Sequence, residues 1–209
     1  MSPVDPTLEP AKAGGGRLFV VSAPSGAGKT TLCLAVRRHF GDLAYSVSYT
    51  TRAPRPGEQH GKDYFFITRE EFEAGIARNR WAEWARVHGN LYGTSTQWID
   101  ETLAAGKDIL LDIDVQGARQ MLARFPQAIT LFIRPPSMAA LEERLTGRGT
   151  DDAATRALRL ANAEEELAQQ DLYRHVVVND DLERATRELI DLLTHYRSMS
   201  DSSHPRISP

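Results

Sequence analysis

Four apolar runs, each bounded by turn or cap signals, predict buried strands: RLFVVS (17–22), DILLDI (108–113), ITLFI (129–133) and HVVVN (175–179). Helical patterns alternate with them, TTLCLAVRRHF (30–40) after the first run, SMAALEERL (137–145) after the third and DLERATRELIDLLTHY (181–196) after the last. In that final pattern Leu182, Ala185, Leu189, Leu192 and Tyr196 recur at helical spacing, and Asp180 and Glu183 stand as a capping box with Asp in place of the usual Ser or Thr. Alternating strands and helices predict an α/β fold, a three-layer α/β/α core around a mostly parallel sheet. The segment 46–96 breaks the rhythm: SVSYTT, DYFFIT and LYGTST are short, partly alternating and turn-bounded, around a helical EEFEAGIARNRW. It reads as an inserted mixed α+β lobe.

Composition narrows the class. A chain of 209 residues is long enough for one compact domain with a sizeable core and small inserted lobes. Residues 1–16, rich in Pro, Ala and Gly, and the polar 198–209 read as tails without chemistry. With 41% hydrophobic and 25% charged residues, and no run near the about 18 apolar residues of a membrane span, neither a transmembrane helix nor a membrane partner is expected. The start MSPVDPTLEPAKAGGG resembles neither a secretory signal nor a transit peptide, so the cytoplasm is the expected location. The single cysteine, Cys33, lies between Leu32 and Leu34 as a small hydrophobe, and the six histidines form no ligand or triad cluster. A net charge of −3 argues against a nucleic-acid partner.

The stretch SAPSGAGKTT (22–31) carries the first chemistry. It matches the phosphate-binding pattern GxxxxGK[ST] except that Ala23 replaces the first glycine, and it sits where such a loop must, between an apolar strand and a helix beginning near Lys29. In such a loop the backbone N–H groups from Ala23 through Pro24, Ser25, Gly26, Ala27 and Gly28, continuing into Lys29, Thr30 and Thr31, point at phosphate oxygens; proline offers no donor. Lys29 adds a mobile positive charge, and the Thr30 hydroxyl is a ligand for Mg2+. Alanine at position 23 asks only for negative φ, which leaves the demanding torsions to Gly26 and Gly28.

A phosphate loop names no reaction. The stretches SVSYTTRAPRPGEQHGKDYFF (46–66), EWARVHGNLYGTS (83–95), LLDIDVQGA (110–118) and RLTGRGT (144–150) resemble, in order and spacing, the guanylate kinase family, bacterial type. The resemblance runs from about Arg17 to Tyr196. It implies a P-loop nucleoside monophosphate kinase whose core spans 17–45, 97–137 and 169–197, with a GMP-binding lobe at 46–96 and a helical lid at 138–168.

The residues themselves fit that implication. Arg52 and Arg55, three apart with Pro54 between, form a fork suited to a phosphate dianion, and in the family they hold the GMP phosphate. Tyr64 and Tyr92 add phenolic donors to it by the same resemblance. Glu83 matches the family's guanine-reading glutamate: guanine presents N1–H and its 2-amino group as adjacent donors, whereas adenine would set a lone pair against the carboxylate. Ser48 matches a second base contact, and Gly93 with Thr94 stands where the family's YGTS segment meets the nucleotide, Thr94 adding a methyl to the commoner serine. Trp81 and Trp84 flank Glu83 at helical spacing as packing residues. Asp112 and Asp114, two apart on one face of a strand, end an apolar run as a Walker B pattern does; one of them, Asp112 taken first, holds Mg2+ through water, and both join the family's nucleotide network. Arg144, Arg148 and Arg159 match lid arginines that close on the transferring phosphates; Arg156 has no clear match. Asn179 matches an adenine contact.

The implied activity is Mg2+-dependent transfer of the γ-phosphate of ATP to GMP or dGMP, with Lys29, Arg52, Arg144, Arg148 and Arg159 as the catalytic cations. A kinase of another small acceptor on the same scaffold, and a non-catalytic interaction domain, are the alternatives; Glu83 with Ser48 argues against the first, and the intact Gly28, Lys29 and Thr30 against the second. Monomer and homodimer stay open.

Overall fold

The computed structural model describes residues 15–87, 89–147 and 152–199; Arg148, Gly149 and nearly all of both predicted tails lie outside these. Five strands, β1 (Leu18–Ser22), β2 (Ala44–Tyr45), β7 (Ile109–Asp112), β8 (Ile129–Arg134) and β9 (His175–Val178), form a parallel sheet in the order β2-β7-β1-β8-β9. All five residues of β1 are buried, as a continuous apolar run in a covered parallel strand should be. A second sheet, in the order β4-β3-β6-β5, joins β3 (Tyr49–Thr50), β4 (Phe65–Phe66), β5 (Trp81–Val87) and β6 (Asn90–Ser95). No helix among the described residues is long and apolar enough to cross a membrane. The described residues divide into two compact units, one of Val21–Gly41 and those from Thr130 on, the other of those up to Val20 and those from Asp42 to Ile129.

In the first unit α1 (Lys29–His39) packs on α7 (Leu182–Ser198), and α5 (Met138–Gly147) packs on α6 (Ala153–Leu167) through Leu141, Leu145 and Ala163. The cap of α7 is not the expected one. Asp181 is the N-cap and accepts from Arg184 N, while Asp180 accepts from Asp181 N and pairs with the Arg184 side chain. The start of α7 thus shifts by one residue, and its buried face is Ala185, Leu189, Leu193 and Tyr196; Leu182 stays 47% exposed and Leu192 half-buried. Cys33 is buried on α1 as expected.

The second unit holds α2 (Arg69–Ala77), α3 (Thr96–Ala104) and α4 (Val115–Arg124) with the four-stranded sheet. A full capping box of Thr68 and Glu71 starts α2. The helix stops at Ala77, four residues short of the expected Trp81, because the chain reverses at Asn79, whose φ is 53°. Trp81 then opens β5 and stacks on Phe72 with ring centroids 4.5 Å apart, its indole N–H donating to the Phe72 carbonyl at 3.0 Å. Gly75 accommodates that ring: a Cβ there would lie 2.7 Å from it. So the helical spacing of Trp81 and Trp84 does not hold, and the two residues lie on a strand with a bulge between Trp81 and Glu83, Trp81 buried and Trp84 36% exposed. Gly16 is no tail residue either, since its N–H donates to Leu103 O at 2.7 Å.

Candidate active site

In the first unit β1 ends at Ser22 and α1 begins at Lys29, which leaves the loop 23–28 between them. Gly26 and Gly28 have φ of 92° and 93°, whereas Asn79 is the one non-glycine residue of positive φ among those described, so buried Ala23 takes an ordinary backbone. The side chains of α2, α3, α4, α6 and α7 starts, Thr68, Ser95, Asp114, Asp152 and Asp181, each accept a first-turn N–H. Gly28 caps α1 without any side-chain bond, which leaves the helix's positive end for an anion. Ser25, Thr30 and Thr31 are exposed and Lys29 is half-buried; Pro24 and Ala27 are buried.

Close packing fixes this loop from behind. A Cβ on Gly26 would lie 2.9 Å from Leu145 and 3.0 Å from Leu141 of α5; one on Gly28 would lie 2.3 Å from Asn179 Nδ2. Asn179, buried at the end of β9, donates from Nδ2 to the Ala27 carbonyl at 2.7 Å, and Arg144 of α5 donates to the Asn179 carbonyl at 2.8 Å. Asn179 therefore braces the loop, a role its expected contact with adenine did not foresee. Gly26, Gly28, Thr31, Arg144 and Asn179 line a cleft of about 390 Å³. Arg156 and Arg159 are half-buried on α6.

The second unit gathers the expected acceptor residues in two groups. In the first, β3 and β6 pair Thr50 with Tyr92, and the rings of Tyr64 and Tyr92 meet edge to face with centroids 5.9 Å apart. The Arg52 guanidinium lies 5.4 Å from the Tyr64 ring centre. Glu58, which no motif had marked, ties the group together: Oε1 accepts from Arg52 Nη2 at 2.8 Å and Oε2 from the backbone N–H of Arg55 at 2.7 Å. The hydrogen bond from Arg52 holds the Glu58 carboxyl below its usual range, and the same bond raises the Arg52 guanidinium, burial opposing and Tyr92 assisting. Burial raises the Tyr64 phenol, so its hydroxyl keeps the proton it would donate. Arg55 is exposed.

The second group surrounds Glu83, only 5% exposed on β5. Thr94, its direct partner on β6, donates from its hydroxyl to Glu83 Oε1 at 2.6 Å. Helix α4 packs on β5, and the Gln120 carboxamide grips the backbone of Trp84, accepting from its N–H at 3.1 Å and donating to its carbonyl at 2.7 Å. Gly93 is a packing requirement, as a Cβ there would lie 2.9 Å from Phe72 and 3.0 Å from the Glu83 carbonyl. Ser48 is half-buried beside β3, and its carbonyl accepts from Phe65 N at 2.9 Å.

The aspartates part company. Strand β7 ends at Asp112, so Asp112 and Asp114 do not share a strand face; Asp114 is the N-cap of α4 and accepts from Gly117 N at 2.7 Å. The alternation of DILLDID cannot reveal this, because a cap and a strand end use the same residue type. Neither α4 nor β5 was visible in the chain's pattern. In β5 the run WAEWARV carries helix-favouring Ala, Glu and Arg, and pairing with β6 overrides that propensity.

The sequence model of guanylate kinase matches residues 15–196. Guanylate kinase of Dechloromonas aromatica (strain RCB) is 54% identical over 174 residues, which cover 83% of this chain and 86% of that protein. Guanylate kinase of Geobacter sulfurreducens is 51% identical over the same shares of the two chains. The crystal structure of guanylate kinase from Anaplasma phagocytophilum aligns with a TM-score of 0.68 at 33% identity, over 88% of this chain and 87% of that one. With a family match spanning the core strands, the phosphate loop and both acceptor groups, this chain belongs to the guanylate kinase family.

Proposed function

We propose that this chain is an ATP:GMP phosphotransferase that moves the γ-phosphate of ATP to GMP or dGMP, giving ADP and GDP or dGDP. The observation that carries this reading is the buried Glu83 carboxylate, fixed by Thr94 across the sheet. Two acceptor oxygens held in place suit the adjacent N1–H and 2-amino donors of guanine, and adenine would leave the buried carboxylate unpaired. Ser48 supplies a further hydroxyl to the base.

Arg52, Arg55, Tyr64 and Tyr92 hold the GMP phosphate, the tyrosines as protonated donors. Gly26, Gly28, Lys29 and the uncapped start of α1 hold the donor phosphates. A GMP phosphate oxygen attacks the γ-phosphorus in line as the bond to ADP breaks. That oxygen is already largely anionic at neutral pH, so no general base is needed and the chain contributes positioning and charge stabilisation. Arg144, Arg148 and Arg159, in the lid at 138–168, neutralise charge on the transferring group and exclude water.

Among the described residues no three His, Cys, Asp or Glu side chains gather as a metal cluster. The Thr30 hydroxyl and the Asp112 carboxylate are oxygen donors of the kind Mg2+ accepts alongside substrate phosphates, and the ion would there neutralise the β- and γ-phosphate oxygens. ATP and GMP are the partners of this reading and the cytoplasm its location.

A coupled ADP-release assay with Mg2+ and ATP, run over GMP, dGMP, AMP, CMP and UMP, tests it. Turnover is expected with GMP and dGMP alone. Absence of GMP-dependent ADP formation, or equal turnover with AMP, overturns it.

A further inference from the structure

Gly117 lies on the first turn of α4, within ordinary helical φ, where alanine would be the better residue for the helix. Its glycine is explained by what faces it. A Cβ built on Gly117 would lie 2.6 Å from Glu83 Oε2, 3.2 Å from Glu83 Cδ and 3.4 Å from Asp114 Oδ1. The first distance is shorter than a real Cβ contact reaches and the second is tight, so something must move. Helix α4 is held at its start by Asp114 and farther along by the two bonds from Gln120 to the Trp84 backbone, next in sequence to Glu83. The movable part is the tip of the Glu83 side chain, and its path is limited because Oε1 is bound to the Thr94 hydroxyl at 2.6 Å and the residue is 5% exposed.

We infer that Gly117 is a positioning residue for base selectivity: its bare Cα is the wall against which the Glu83 carboxylate rests, and that wall sets where the two acceptor oxygens stand. This rests on Glu83 reading guanine. A methyl at 117 displaces the carboxylate and breaks the paired contact to N1–H and the 2-amino group, while the backbone of α4 accepts alanine without strain. Loss of guanine selectivity without loss of stability is the signature, since an ordinary packing glycine costs stability when replaced.

The test compares kcat/KM for GMP and for IMP, which lacks the 2-amino group, in the full chain and its variants, with thermal unfolding and KM for ATP measured alongside. Gly117→Ala is expected to lower the GMP to IMP ratio by about tenfold or more, to leave KM for ATP within about twofold, and to leave Tm unchanged or raised. In a Glu83→Ala background the same substitution is expected to change neither the ratio nor KM for GMP, because its effect runs through the carboxylate. An unchanged ratio in Gly117→Ala overturns the inference, as does an equal loss in the Glu83→Ala background, or a loss accompanied by a fall in Tm and a rise in KM for ATP. If Glu83→Ala itself leaves the ratio unchanged, the guanine reading of Glu83 fails and this inference with it; if Glu83→Ala lowers the ratio and Gly117→Ala does not, the inference fails alone.

Discussion

Thr94 and Glu83 face each other across β5 and β6, and the threonine hydroxyl donates to the buried carboxylate at 2.6 Å. Thr94→Val keeps the volume and removes the donor. Leaving the buried charge short of a partner is expected to cost about 1–3 kcal/mol of stability and to raise KM for GMP by about tenfold with KM for ATP little changed. Thr94→Ser retains both properties. Chemical denaturation and steady-state kinetics check this, and a stable Thr94→Val enzyme with normal KM for GMP speaks against the role given to the pair.

Glu58 is partly exposed, so its bonds to Arg52 and to the Arg55 backbone orient the proposed phosphate fork more than they stabilise the fold. Glu58→Ala is expected to raise KM for GMP by up to about fivefold, a modest effect because the pair is exposed to solvent, with Tm unchanged. A lowered KM would show instead that Glu58 competes with the phosphate for Arg52.

Lys29 sits half-buried at the first position of α1 beside the two left-handed glycines. Lys29→Met is expected to fold normally and to lose about 10²–10³ in kcat, the loss typical of removing one charge-stabilising donor. Single-turnover rates of γ-phosphate transfer measure it; retention of full activity would remove the loop from the mechanism.

Gly28 and Ala23, two small residues of the loop, separate by backbone. Gly28→Ala places a methyl at φ 93° and 2.3 Å from Asn179 Nδ2, and is expected to cost about 1–3 kcal/mol. Ala23→Gly, at an ordinary backbone, is expected to cost no more than about 1 kcal/mol. Equal losses in thermal unfolding would contradict the assignment of strain.

His175 shares a 2.7 Å hydrogen bond with Tyr196, and burial, followed by the charges of Arg174 and His195, holds its imidazole below the ordinary 6.5. Between 6.5 and that lowered value the unfolded chain binds a proton that the folded chain refuses. Its stability contribution is therefore complete above pH about 6.5 and is lost as pH falls through the window. His175→Gln is expected to flatten the decline of Tm between pH about 7 and 5; an identical decline in both proteins would place the acid sensitivity elsewhere.

The chain's pattern by itself determined the parts whose signals are local. β1, β7 and β8 are apolar runs that any covered parallel strand requires, whereas β9, predicted buried from an equally apolar run, lies at the sheet edge with Val177 buried and Val176 38% exposed; α1, α5 and α7 follow from helical spacing. The phosphate loop was legible because φ near 92° at Gly26 and Gly28 needs glycine, and glycine is visible as a letter. Ala23 was legible for the complementary reason. The quartet Arg52, Tyr64, Glu83 and Tyr92 came from motif order, and their spacing in the chain held no hint of their contacts. Tertiary structure decided what depends on partners distant in sequence. Asp114 became a cap and Asp112 a strand end, though both are aspartates after apolar residues. β5 was drawn into a strand against its helical composition because β6 supplies its hydrogen bonds. Glu58 and Gln120 are unremarkable letters until a guanidinium or a strand backbone stands 3 Å away, and Asn179 meets Ala27 from 152 positions along the chain. Gly117 shows the boundary most sharply: its torsion would suit alanine, and only the carboxylate of Glu83, folded against its Cα, explains why no side chain is there.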